Sequence, residues 1–227
     1  MIRIRSVDTN PVMVPARSLR HPLTDAGRYA KCATVVTELF SEHLAGGPPL
    51  IAKTSWVRFL PTDLDGPAAI SPLHATSALG LGEVHEVPYD RKVLDLPDDD
   101  RRRAILDWLR DHMLALGSGL NWDPGPIEAA YEACLRDGCR YRRTGAAKAS
   151  PNRRWKAHVE FEIDGDGEAW SWLVVTDRAG AVLTVGERRD SVPFARRGRK
   201  VLRSVRWDGD VPTWTPWIDD VFTDGPP

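Results

Sequence analysis

The chain has 227 residues, with 31 basic and 32 acidic side chains and a formal net charge of −1. Taken as a total, that balance excludes a histone-like polybasic binder and an acidic disordered tail. A hydrophobic content of 42% with 28% charged residues fits a folded globular chain large enough to bury a core. The three cysteines, Cys32, Cys134 and Cys139, are too few and odd in number for a disulfide framework, so a reducing compartment, the cytoplasm, is expected. No apolar run approaches a membrane span and the first residues lack a signal-peptide core.

In chain order, residues 2–7 read as a short strand with Ile2 and Ile4 on one face. Tyr29, Ala33, Val36, Phe40 and Leu44 follow helical spacing, so a helix is expected over 25–45, capped by Thr24 or Asp25 and stopped by Gly46-Gly47. The β-branched run Thr34-Val35-Val36-Thr37 is the competing argument for a strand. Strands are expected over 50–60 and 82–87, with a long connection over 61–79 that has room for a short helix near 67–79.

Asp98-Asp99-Asp100 opens a helix that runs to Leu116, because acids at a helix N-terminus complement its dipole; Gly117 reads as its stop. A second helix over 126–137 starts at Pro126, buries Ile127, Ala130, Tyr131, Cys134 and Leu135, and ends at Gly138. Together they predict an αα-hairpin over about 99–137.

The remainder reads as β. Trp155, Ala157, Val159, Phe161 and Ile163 alternate with Lys156, His158, Glu160 and Glu162. Asp164-Gly165-Asp166-Gly167 turns the chain into a second strand over 169–177. A two-residue turn in either of its two positions sets Phe161 opposite Trp170 or Trp172. Leu173 and Val175 then cover the other face of that strand. A third strand is expected over 181–187 and a last one over 201–207. The class is therefore α+β: an antiparallel β-meander (about 155–187) packed with the αα-hairpin and an N-terminal helix-plus-strand region. It is expected as a single compact unit, 1–227, with any sub-boundary near 88–98.

Charge is laid out in blocks. Residues 61–100 carry net −7, residues 188–206 carry net +7, residues 140–156 hold seven bases and no acid, and 208–224 hold five acids and no base. Candidate anion- or partner-binding residues are Arg142, Arg143, Arg153, Arg154, Lys156, Arg196, Arg197, Arg199 and Lys200. Arginine outnumbers lysine 25 to 6, which inflates such runs without function.

His158, Glu160 and Glu162 share a strand face and are the weak catalytic candidates, since imidazole and carboxylate can move protons or hold a metal. The simplest reading of them is a solvated polar face. Asp164, Asp166 and Glu168 match the first positions of a calcium loop, but Ala169 and Val175 stand where Gly and Glu belong, so a hairpin turn explains them. Cys134 falls on the apolar face of its helix; Cys139 is a nucleophile by residue type alone. Trp207, Trp214 and Trp217 lie in a Pro- and Asp-containing tail expected to fold back on its own domain.

No Walker loop, nucleophile elbow or dinucleotide fingerprint is present, and no metal or cofactor is expected. The leading expectation is a binding protein that engages a protein partner or a second copy of itself, with no membrane. The alternatives are nucleic-acid binding through 140–156 and 188–206, with Tyr141 and Trp155 as stacking aromatics, and a hydrolase built around His158, Glu160 and Glu162 or around Cys139.

Overall fold

The computed structural model describes residues 2–9, 23–62, 71–72 and 82–217. The chain is α+β and divides into two compact units, Met1–Tyr141 with Gly165–Gly167 and Arg142–Asp164 with Glu168–Pro227. The division follows Tyr141, and residues 88–98 lie inside the first unit.

The first unit starts with β1 (Ile2–Arg3) and β2 (Ser6–Asp8) where one strand was expected. Ile4 between them is fully buried while Ile2 is half exposed. The expected single helix is two: α1 (Asp25–Cys32), capped by the Thr24 hydroxyl accepting from Gly27 N–H, and α2 (Thr34–Gly46). Their junction is Ala33, and the β-branched Thr34–Thr37 run is helical because its side chains are buried, which overrides strand propensity. Arg3 donates to the Leu44 and Gly47 carbonyls at the end of α2, satisfying groups the helix leaves open. The Ser41 hydroxyl both accepts from Val7 N–H and donates to Val7 C=O, so α2 supplies what a neighbouring strand would give β2.

After β3 (Ile51–Ala52), strands β4 (Trp56–Thr62) and β6 (Glu83–Pro88) run parallel to each other and to β2, with β5 (Ser71–Pro72) antiparallel to β6, giving the order β2–β4–β6–β5. Of the connection expected over 61–79, residues 61–62 are the end of β4 and 71–72 are β5; the remainder, with most of the helix expected near 67–79, lies outside the described residues.

Helix α3 (Asp98–Leu120) runs beyond the expected stop at Gly117. Its αL terminator is Asn121 (φ 55°), and Gly117 is instead a buried residue packed against Trp122 and Ile127. Helix α4 (Gly125–Arg136) ends in a Schellman turn: Gly138 (φ 64°) bonds back to Leu135 C=O and Cys139 N–H to Cys134 C=O. Between β6 and α3 lies an aromatic cluster in which Phe59 touches His85, Trp108 and His112, and Trp108 touches Tyr29.

The second unit is the meander. Strands β9 (Trp155–Ile163) and β10 (Ala169–Asp177) form its centre, flanked by β11 (Val182–Val185) and β7 (Tyr141–Thr144), with β8 (Lys148–Ala149) on β9 and β12 (Arg189–Ser191) on β10. The register differs from both versions expected. Phe161 pairs with Ser171, and Trp172 with Glu160. Gly167 takes a left-handed conformation (φ 75°), and Asp164 N–H bonds Glu168 C=O, which closes a three-residue loop instead of a two-residue one. A slip of one residue exchanges the faces, so both tryptophans move to the Glu160 side.

The expected strand over 201–207 is divided: 201–203 are the last turn of α5 (Ala195–Arg203), and 206–207 are strand, in the hairpin β13 (Arg206–Asp208) and β14 (Val211–Thr213). Ala195, Gly198, Val201 and Leu202 form its buried stripe on the Phe161 face of the sheet. Lys148 donates to the Arg203 and Val205 carbonyls, a cation at the negative end of the helix. The tail packs on its own unit as expected: Trp207 donates to Lys148 C=O, Trp214 to the Ser171 hydroxyl, and Ser191 to Pro216 C=O.

Two outcomes follow. A Cβ on Gly198 would sit 2.7 Å from the buried Phe161 ring, so Gly198→Ala is expected to lower stability by roughly 1–3 kcal/mol through overpacking, although alanine is the better helix former; denaturant unfolding gives the sign. His85 is buried, with neither ring nitrogen hydrogen-bonded among the described residues, although Glu83 lies 3.5 Å away, and burial pushes its pKa down. Below about pH 6.5 the unfolded chain takes up the proton first, so stability falls with pH there, and His85→Leu is expected to flatten that slope in thermal melts at pH 7 and 5.

Candidate functional site

Strand alternation puts His158, Glu160 and Glu162 on one face of β9, and the observed register adds Val174, Trp172 and Trp170 from β10 directly opposite them. Arg142 and Thr144 join from β7, and Arg188 from the link between β11 and β12. This is not the open polar surface read from the alternation alone, because Glu160 is only 9% exposed and Trp172 only 6%.

Glu160 is the centre. One carboxylate oxygen accepts from the Thr144 hydroxyl at 2.9 Å and lies 3.3 Å from His158 Nε2; the other accepts from Arg142 Nε at 3.2 Å. The Arg142 guanidinium also lies 5.1 Å from the Trp172 ring centre. Arg188 repeats the arrangement one step along, over Trp170 and Trp172 and bonded to Glu162 at 3.1 Å. Each arginine is thus neutralised by a glutamate and spread over an indole face, a geometry that suits guanidinium better than ammonium.

Glu160 accepts from Thr144 and Arg142 and has the His158 ring nitrogen beside it, so three of its own chain's groups occupy the carboxylate. Among the described residues no group of three or more histidine, cysteine or acidic side chains is placed to hold a metal ion. Asp164 is used in the hairpin, its carboxylate accepting from Glu168 N–H and Trp170 Nε1.

Cys139 lies in an open cleft of about 500 Å³ lined by Asp99, Arg103, Leu135, Arg136, Asp137, Gly138 and Arg140. Its backbone is left-handed (φ 55°), as the turn after α4 requires, and burial pushes its thiol pKa up despite the nearby Arg103 and Arg102. A thiol held protonated is a poor nucleophile. Cys134 is fully buried, as its helix face indicated.

The sequence-selected bases do not form one surface. Arg142 belongs to the Glu160 face. Arg143 donates to Arg142 C=O, and Arg153 and Arg154 lie in the turn before β9. Lys156 donates to Arg178 C=O at the start of β9. Arg196, Arg197, Arg199 and Lys200 sit on α5, across the sheet from Arg142, because α5 packs on the Phe161 side. The stacking candidates are also reassigned: Tyr141 is 2% exposed, with its hydroxyl donating to Glu42, and Trp155 is half-buried at the start of β9.

Sequence reasoning missed Thr144 and Arg188 as partners of the glutamates, and it missed α5. The signal for α5 was present: Ala195, Gly198, Val201 and Leu202 are spaced for one helical stripe, with bases at the other positions.

Glu160 is the buried member of its pair, and an amide there would replace an acceptor oxygen of its hydrogen-bond set with a donor. Glu160→Gln is expected to lower stability by roughly 1–3 kcal/mol, whereas Glu162→Gln, at the more exposed glutamate, should change it by less than about 0.5 kcal/mol; parallel urea titrations distinguish the two.

The chain matches no protein-family model, no curated protein and no solved structure.

Proposed function

We propose that this chain is a binding protein that engages an acidic protein surface through α5. The observation that carries the reading is the outward face of that helix. Its small and apolar residues are turned into the core, which leaves Arg196, Arg197, Arg199, Lys200 and Arg203 around the remainder, with no acid in the helix. Arg199 and Arg203 are exposed, and their side chains make no hydrogen bond or ion pair among the described residues. Arg142 and Arg188, by contrast, already have carboxylate partners. Nine residues span about 13 Å, enough for one row of contacts on a facing acidic helix or loop.

A protein partner is favoured over nucleic acid by the state of the aromatics. Single-stranded binders combine a basic groove with open rings on which bases stack. Here Trp172 and Tyr141 are buried, and Arg142 and Arg188 cover the indole faces.

The test is titration of the protein with a glutamate-rich peptide and, separately, with single- and double-stranded oligonucleotides across a salt series. Binding to the peptide that weakens with salt and falls at least about tenfold in Arg199→Glu/Arg203→Glu is the expected result. Oligonucleotide binding without peptide binding would transfer the reading to nucleic acid. Silence from both at low salt would end it.

A further inference from the structure

The second unit has one edge that its composition leaves unprotected. Strand β11 forms the end of the sheet order β11–β10–β9–β7. All four of its residues are exposed, and three are large and apolar: Val182 at 60%, Leu183 at 53% and Val185 at 60%. The strand contains no charge and no proline, the usual devices that blunt an edge. Its pairing with β10 is also incomplete. Thr184 faces Val175 and Val182 faces Thr176, so Leu183 is the extra residue of a bulge and has no partner across the ladder.

We propose that β11 pairs edge to edge with β11 of a second copy of this chain, antiparallel about a two-fold axis. The argument for a second copy is charge complementarity. The turn before the strand carries Arg178, and the residue two beyond its end is Glu187; both are exposed. Arg178 donates only to the Arg153 carbonyl, and Glu187 has no ion pair or hydrogen bond among the described residues. An antiparallel two-fold arrangement brings the start of each strand beside the end of the other. Arg178 of one copy then meets Glu187 of the partner, twice, around an apolar centre of Val182, Leu183 and Val185. An isologous contact of this kind uses the β11 edge of both copies and closes on itself, so no β11 edge is left to recruit a third copy. Four residues per strand place the interface at the small end of the range, so association in the micromolar range is expected. The proposal does not depend on α5.

Sedimentation velocity of the full chain at about 1–100 μM tests it, with circular dichroism and melting as folding controls. A monomer–dimer equilibrium in that range is expected, weakened at least about tenfold by Leu183→Lys with folding unchanged. Arg178→Glu and Glu187→Arg should each weaken it by about tenfold, since each sets like charges together twice, and the double exchange Arg178→Glu/Glu187→Arg should restore it. A monomer throughout, a dimer indifferent to Leu183→Lys, or an exchange that fails to restore would each overturn the proposal.

Discussion

The register of the β9–β10 hairpin is the constraint on which the second unit depends. Gly167, held left-handed, makes the loop three residues long, and the slip that follows decides what each face contains. On one face Phe161 sits beside Ser171, a small partner that leaves room for α5 and lets the Trp214 indole N–H reach the Ser171 hydroxyl. Gly198 then brings the helix close to the Phe161 ring. On the other face Trp170 and Trp172 lie opposite Glu162 and Glu160, within reach of Arg188 and Arg142. A two-residue turn would have put the indoles against Phe161, displacing the helix and exposing the glutamates.

The same division explains the charge. The first unit carries 16 bases against 20 acids and the second 15 against 12, so the near-neutral total joins a unit of net −4 to one of net +3. Within the second unit, arginines do two kinds of work. Arg142 and Arg188 lie over indoles with carboxylate partners and are internal glue. The bases of α5 belong to a helix that contains no acid, and Arg199 and Arg203 are exposed on it.

How much could be read in advance depended on how local each determinant was. The face of β9, the two helices 98–120 and 125–136, the burial of Cys134 and the hairpin role of Asp164 all follow from near neighbours, and they were legible. The break at Ala33, the passage of α3 through Gly117 and the parallel β2–β4–β6 arrangement were not. Each is decided by packing of distant residues. Gly117, for one, ends nothing because it is buried against Trp122 and Ile127, and the left-handed residue that stops the helix is Asn121. At the candidate site, His158, Glu160 and Glu162 were visible as a group, but Thr144 and Arg188 were not, since they come from strands and loops far along the chain.

The amino-acid sequence by itself determined the α+β class, the alternation of β9 and the block arrangement of charge, because these rest on periodicity and composition. Tertiary structure alone decided whether the basic blocks act together. The answer lay in what packs on the two faces of β9: β7 brings Arg142 to Glu160, and α5 packs on Phe161, which puts Arg142 and the Arg196–Arg203 row on opposite faces of one sheet. Local spacing carries no information about which side of a sheet a later helix will cover; that is set by where a small residue such as Gly198 lets the helix approach.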